Sequence, residues 1–368
     1  MPRKKPTTIQ IAIIINVVVL IGLIISGLWQ QAANKEDVGV EAVEEKVVNI
    51  YSYRQPDLIN PLLKKFTAET GIKTQVIFAK KGLLERIRIE GQAAPADIIL
   101  TSDIGILHES ADIAQVVLSP VLRARIPAPL RDGGNQWFGL SQRARIAFVS
   151  KARVADEALT YLELAQPRFR GRLCMRSGQH PYNIALFAAM LVHLGEVDFR
   201  AWLAGIKSNL AQSPSGNDRA QVRNVYGGVC DIAIGNTYYM GKMLTNTKQP
   251  QQKRWADSVR LIFPAMPAST AREKKGKGGT HINISGMAMA KYAPHPKAAL
   301  ALMEYLVGNE AQQLYAQGNF EYPIVAGLAP APLVASWGEM IPDTLAMADI
   351  AGSRKTASRI VDEINFNE

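Results

Sequence analysis

VVNIYSYRQPDLINPLLKKFTAETGIKTQVIF, residues 47–78, switches between two hydrophobic periods, and that switching decides the fold class. Residues 47–51 form a short β-branched run. Leu58, Leu62 and Phe66 then recur at i, i+4 with Ile59 and Leu63 beside them, and the stripe stops at Gly71. Residues 72–78 are strand-like again. Strand, helix and strand in that order make a βαβ unit, and the pattern continues through a helix at 83–90 and a short buried strand at 97–100. A second series starts after a strand at 145–150, with helices near 183–193 and 199–210, a strand at 229–234 and a helix at 238–244. A strand at 282–290 and helices at 297–307 and 310–316 close it, and the Lys- and Gly-rich stretch 276–279 reads as a surface loop. The alternation predicts an α/β protein with mostly parallel sheets.

Upstream of this body, residues 9–29 are nearly all Ile, Val, Leu, Ala and Gly, broken only by Gln10, Asn16 and Ser26. At about 1.5 Å per residue a helix of that length crosses a hydrocarbon core roughly 30 Å thick. Arg3, Lys4 and Lys5 precede it, which keeps the N-terminus in the cytoplasm and exports the rest. A cleaved signal peptide is the competing reading, but the run is long for one and Gln31-Ala32-Ala33 is a weak cleavage site. The sequence therefore favours an uncleaved transmembrane anchor over residues 1–33, followed by an acidic linker over 34–46.

The chain has 368 residues, 48% hydrophobic and 20% charged, which excludes wholesale disorder. Its net charge of +10 raises the question of an anionic partner. The basic start and the acidic linker cancel, so the whole excess belongs to the exported body. No DNA waits there, and no aromatic-basic stripe is present to bind nucleic acid.

Catalytic signatures are missing: no nucleophile elbow, no phosphate-cradling loop, no His-Glu-x-x-His and no dinucleotide fingerprint, and the five histidines are scattered. The sequence predicts a binding protein and no enzyme. Its distinctive residues are tyrosines at helix openings. Tyr238 and Tyr239 follow a predicted strand and turn and sit about 100° apart on the first turn of a helix. Tyr182 follows Pro181, which suits a first helical position. Openings of this kind lie where open α/β sheets place ligands, although cleft-lining packing would explain such tyrosines equally. Arginines form the second group. Arg54 follows the first strand, and alternation puts Ser141, Arg143 and Arg145 on one strand face. Guanidinium forks suit carboxylate, carbonate or phosphate, while an ion-paired interdomain strand is the alternative reading for each.

The segments Asn49-Ile50-Tyr51-Ser52-Tyr53-Arg54, Phe78-Ala79-Lys80-Lys81-Gly82, Pro95-Ala96-Asp97-Ile98-Ile99-Leu100-Thr101, Arg143-Ala144-Arg145, Arg176-Ser177-Gly178, Pro181-Tyr182-Asn183, Gly216-Asn217-Asp218-Arg219-Ala220, Gly235-Asn236-Thr237-Tyr238-Tyr239 and Gly279-Thr280-His281-Ile282-Asn283-Ile284-Ser285-Gly286 occur in that order. Together they resemble the periplasmic ferric-ion-binding proteins of ABC iron transporters, a family with the two-lobed type II periplasmic-binding-protein fold. The resemblance spans residues 48–322, and the Tyr-Tyr pair is its most specific part. It implies lobe one at 47–144 with 286–350, lobe two at 145–285, hinges near Arg145 and Ser285, and a C-terminal tail at 351–368.

The resemblance further implies a monomeric receptor that hands Fe³⁺ to an inner-membrane ABC permease, with Tyr182, Tyr238 and Tyr239 as phenolate ligands. Fe³⁺ is a hard cation that favours anionic oxygen, and its binding displaces the phenolic proton. Three phenolates neutralise it, so a synergistic anion such as carbonate would need a counter-charge, for which Arg54 and Arg143 are the candidates. Many relatives place His-Tyr ligands after the first-motif arginine, where this chain has Gln55-Pro56. Either Tyr53 reaches the metal, or an anion and water complete the coordination; the second is favoured. Cys174 and Cys230 fall near the starts of second-lobe strands, where a disulfide or two separate buried thiols would both fit an exported protein. A same-fold receptor for an anion or an organic cation is the nearest rival.

Overall fold

The first strand, β1 (Val47–Ser52), pairs in parallel with β2 (Lys73–Phe78) on one side and β3 (Ile98–Thr101) on the other in the computed structural model, which describes residues 46–267 and 278–368. The helix joining β1 to β2, Pro56–Thr70, begins on the proline and buries Ile59, Leu62, Leu63 and Phe66. Gly71 ends it at φ +73°, a left-handed cap that a side chain would disfavour. The predicted anchor, the acidic linker up to residue 45 and residues 276 and 277 of the 276–279 loop lie outside the described residues. Among the described residues, no helix is long and apolar enough to cross a membrane.

β4 (Phe138–Ser150) decides the layout. Its first half, Phe138 to Ala144, pairs antiparallel with β8 (Ile282–Met289), and its second half, Arg145 to Val149, pairs antiparallel with β6 (Ile232–Asn236). One strand thus belongs to two sheets and changes membership between Ala144 and Arg145. At that step the Arg145 N–H donates to the His281 carbonyl at 3.0 Å, one residue before β8 begins. The first sheet runs β2-β1-β3-β8-β4, with β9 (Tyr322–Pro323) also on β4. The second holds β4, β6, the short β5 (Leu173–Cys174) in parallel with β6, and β7 (Val259–Ile262) antiparallel to β4.

These pairings correct the expectation of mostly parallel sheets: the sheets are mixed, and antiparallel ladders predominate. Parallel pairing follows where a helix returns the chain to the same sheet, as it does for β1, β2 and β3. β4 and β8 instead pass between the sheets, so no such crossover sets their direction. The boundary expected between Ser285 and Gly286 falls inside β8, all eight of whose residues are buried in the first sheet, and the passage between sheets lies at His281.

Residues 351–368, expected as a tail, belong mostly to a packed helix, Met347–Glu363, which buries Ile350, Ala351, Ala357, Ile360 and Val361. It lies against the helix Pro181–Ser208, and Phe366 stacks edge-on to Phe187 at 5.5 Å. Arg354 on the same helix pairs with Asp103 at 3.1 Å and reaches the Pro181 carbonyl at 3.4 Å.

At the sheet change, Arg145 is buried and pairs with the buried Asp218 at 3.0 Å, and Arg176 reaches the other Asp218 oxygen at 3.1 Å. Burial alone would raise the Asp218 pKa, but the two guanidinium groups overcome it and hold the carboxyl below its usual range. Arg145 also donates to Asn183 Oδ1 at 2.6 and 2.9 Å and to Asn236 Oδ1 at 3.0 Å. Of the two readings open for Arg145, the ion-paired strand is the one found.

Cys174 and Cys230 form a disulfide between residues 56 apart in sequence. Replacing both by Ala should lower the unfolding free energy by about 4 kcal/mol on the chain-entropy model, as read from urea denaturation with native secondary structure retained. Asp218→Asn should cost more relative to its size, about 3–5 kcal/mol, because it leaves Arg145 buried beside a neutral amide. A denaturation midpoint equal to that of the parent would show that the pair is not what holds the strand.

Candidate metal centre

Two strand-to-helix turns carry the three predicted tyrosines. Tyr182 is the second residue of the helix Pro181–Ser208, which is two helices in geometry, 181–194 and 196–208, separated by Gly195 at φ +74°. The preceding His180 caps it: His180 Nδ1 accepts the Tyr182 N–H at 3.2 Å, and its ring stands edge-on to the phenol at 4.6 Å. Capping needs a free lone pair. Burial first, then Arg176 and Arg145, lower the His180 pKa to about 4, so at neutral pH the ring is the uncharged acceptor that the cap requires.

Tyr238 and Tyr239 open the helix Tyr238–Leu244 directly after β6 and Thr237. The turn is held from below: the Asn236 N–H donates to Asp218 Oδ2 at 2.9 Å, and the Thr237 N–H to the Ala144 carbonyl at 3.0 Å. Gly241 lets Phe320 pack on this helix, since a Cβ there would meet the Phe320 ring at 2.3 Å. Tyr238 Oη donates to Tyr182 Oη at 3.2 Å, and the Tyr238 and Tyr239 rings lie 4.4 Å apart. The three phenols are therefore neighbours, although more than 50 residues separate Tyr182 from the pair.

They line one cleft of about 320 Å³ together with Tyr53, Arg54, Gln55, Arg143, Arg219, Lys242 and Glu321. Burial, reinforced by its tyrosine neighbours, pushes the Tyr238 pKa well above the ordinary phenol value. Tyr239 is raised too, by burial and then by Asp218 and Tyr182. Without a cation these are neutral phenols. A hard trivalent ion would supply the charge needed to convert them to phenolates. Among the described residues no group of three or more His, Cys, Asp or Glu side chains could hold a metal, and the cleft carries one carboxylate, Glu321, beside its clustered phenols.

Tyr53 lines the same cleft, but its hydroxyl already accepts the Leu84 N–H at 3.0 Å. Pro56 is occupied as the opening residue of its helix. Arg54 is buried and paired with Glu321 at 3.4 Å, and it also donates to Ser285 Oγ. Burial opposes the charge on each partner, yet Arg54 and then Arg143 hold the Glu321 carboxyl below its usual range, and Glu321 holds the Arg54 guanidinium firmly protonated. The chain thus already supplies an anion to Arg54. Arg143 donates to the Ser102 carbonyl and to Ser285 Oγ at 3.3 Å, and it has no carboxylate partner among the described residues.

Sequence reasoning missed Glu321, Arg219 and Lys242. Lys242 stands four residues after Tyr238, hence on the same helix face, so its place was legible. Arg219 follows the Asp218 that anchors the turn. Nothing local marks Glu321, which reaches the cleft only through the pairing of β9 with β4.

Residues 94–338 match the model of a family described as bacterial extracellular solute-binding protein. Iron uptake protein A1 of a Synechocystis strain is 40% identical over 327 residues, 88% of either chain. Among solved structures, the ferric iron-binding protein A of Mannheimia haemolytica in an open conformation has 46% identity and a TM-score of 0.81, over 88% of this chain and 99% of that one. FutA of Trichodesmium, solved in complex with iron and citrate, has 35% identity and a TM-score of 0.80, over 87% of this chain and 99% of that one. The fold is the type II periplasmic-binding-protein fold, with mixed sheets. The chain belongs to the bacterial extracellular solute-binding proteins.

Proposed function

We propose that this chain is an extracytoplasmic receptor that binds Fe³⁺ through Tyr182, Tyr238 and Tyr239 and delivers it to an inner-membrane ABC permease. The observation that carries the reading is the meeting of three phenols from two separate turns in a cleft without a His, Cys or carboxylate cluster. The names of its relatives, iron uptake and ferric-binding proteins, support the same cargo. Iron is the cargo and no reaction is required of the protein. Closure of two lobes about the strands that pass between the sheets would complete the coordination, so the ion would favour the closed form. The rival reading, an organic cation stacked on the tyrosines, is disfavoured because each ring already faces a cation: Arg143 and Arg176 at Tyr182, Lys242 at Tyr238 and Arg219 at Tyr239.

The receptor works as a monomer in the periplasm, tethered to the inner membrane by the uncleaved segment 1–33. The basic start and the long apolar run of the sequence support the tether.

Protein loaded with ferric iron should be coloured by phenolate-to-iron charge transfer, and Tyr238→Phe with Tyr239→Phe should abolish the visible band while leaving the circular dichroism unchanged. A band that persists in the double variant would reject these ligands, and an iron-loaded parent without colour would reject the function. The full chain should fractionate with membranes, whereas a chain whose export signal is cleaved before Asn34 should be released by osmotic shock. Quantitative release of the full chain by the same shock would rule out the tether.

A further inference from the structure

The turn that launches the Tyr182 helix is clasped from outside by the C-terminal helix, Met347–Glu363, and the residues after it. The Gly178 N–H donates to Asn367 Oδ1 at 2.8 Å, and a Cβ at Gly178 would stand 2.6 Å from the Phe366 ring. Gln179 Nε2 donates to the Ser358 carbonyl at 2.8 Å and to Asp362 Oδ1 at 2.7 Å, while Ser358 Oγ donates back to Gln179 Oε1 at 2.7 Å. One residue of the same helix also reaches the first sheet. Arg354 donates to the Pro181 carbonyl at 3.4 Å, directly before Tyr182, and pairs with Asp103 at 3.1 Å. Asp103 is buried just past β3, where it caps the helix Ile104–Glu109 by accepting the Gly105 N–H at 2.8 Å. Its other oxygen accepts Asn283 Nδ2 at 2.8 Å. The guanidinium lies over Gly105, where a Cβ would overlap Arg354 Nε.

We propose that Arg354 is a positioning residue for Tyr182: it ties the turn before that phenol to the cleft wall on the first sheet, and so slows the release of iron. The proposal rests on the ferric reading above and adds to it a residue outside the cleft. The path from Arg354 to the site is short. Ser102, next to Asp103, lines the cleft, and its carbonyl accepts from Arg143, whose guanidinium stands 5.6 Å from the Tyr182 ring centre. Arg354 therefore joins the turn that starts the Tyr182 helix to the wall that Tyr182 faces. β4 and β8 also connect the two sheets, but a continuous strand can bend without breaking a contact, whereas the Arg354–Asp103 pair breaks when Pro181 and Asp103 separate. With side chains only 17% and 3% exposed, the pair is poorly replaced by water, and losing one member of such a pair is felt mainly in the rate of separation. Without Arg354, Asp103 keeps Gly105 and Asn283 as donors, so the helix cap survives and the effect falls on the spacing between turn and wall.

The full chain, loaded with ferric iron, would be mixed with excess EDTA and the decay of the phenolate-to-iron band followed in time. Arg354→Gln should release iron at least tenfold faster than the parent, with the circular dichroism unchanged. Arg354→Lys, which keeps a charge opposite Asp103, should recover most of the slow release. A residue that only stabilised the C-terminal helix would lower the urea midpoint and leave the release rate alone. Equal rates in parent and Arg354→Gln, or Arg354→Lys as fast as Arg354→Gln, would overturn the tie and leave the ferric reading standing. Should Arg354→Gln fail to fold, Arg354→Met, which keeps an unbranched stem over Gly105, carries the same comparison. An iron-loaded parent without the band would overturn both.

Discussion

The buried contact between Arg145 and Asp218 is the constraint on which both the fold and the site depend. β4 can serve two sheets only if the residue at the change is held on both sides, and Arg145 bonds to the His281 carbonyl through its backbone and to Asp218, Asn183 and Asn236 through its side chain. Asn183 lies one residue after Tyr182, and Asn236 lies two before Tyr238. A single guanidinium therefore fixes the relative position of the two turns that carry the phenols. A planar fork with five donors can do this, and a lysine ammonium could not reach as many acceptors in fixed geometry. The cost of burying the charge is offset locally, because Asp218 answers it and Arg176 shares the carboxylate.

Order along the chain was largely legible, and direction across it was not. Periodicity alone located the strand, helix and strand of residues 47–78, and the turn that opens on Tyr238 and Tyr239, because these features depend on neighbours within a few residues. The mixed sheets follow from where β4 and β8 come from, which no local window contains. Most of the helix Met347–Glu363 falls in the stretch 351–368 that reads as a tail, because the run Gly352-Ser353-Arg354-Lys355-Thr356 interrupts its apolar stripe, which is faint until the helix Pro181–Ser208 is there to cover it. Glu321 is the sharpest case. It sits beside Phe320 in a left-handed conformation at the end of a helix, and it becomes a cleft residue only because β9 pairs with the middle of β4.

The same long-range placement reassigns Arg54. As a sequence feature it was a guanidinium following the first strand, a candidate anion ligand with an ion-paired residue as the alternative reading. Glu321, with Ser141 donating to it, closes that fork from within the chain. Compensation on one wall and its lack at Arg219 and Lys242 make the cleft electrostatically one-sided. The surplus lies against the rings of Tyr238 and Tyr239, where phenolate charge would develop, and cations there favour the ionised ring over the neutral one.

That asymmetry also accounts for the departure at Gln55-Pro56. A proline at the first position of Pro56–Thr70 presets the backbone for the helix and costs no hydrogen bond, since that N–H would have had no helical partner. It adds no ligand, and the adjacent Tyr53 hydroxyl is already engaged by the Leu84 N–H. If the proposed phenolates come from the two turns hung on Arg145, the stretch after the first strand would not have to supply oxygen ligands. What the β1 end must provide is a stable wall without free charge of its own, and the Arg54–Glu321 pair provides it. On the proposed ligand set, recognition of the ion would depend on the half of the cleft that carries the two turns.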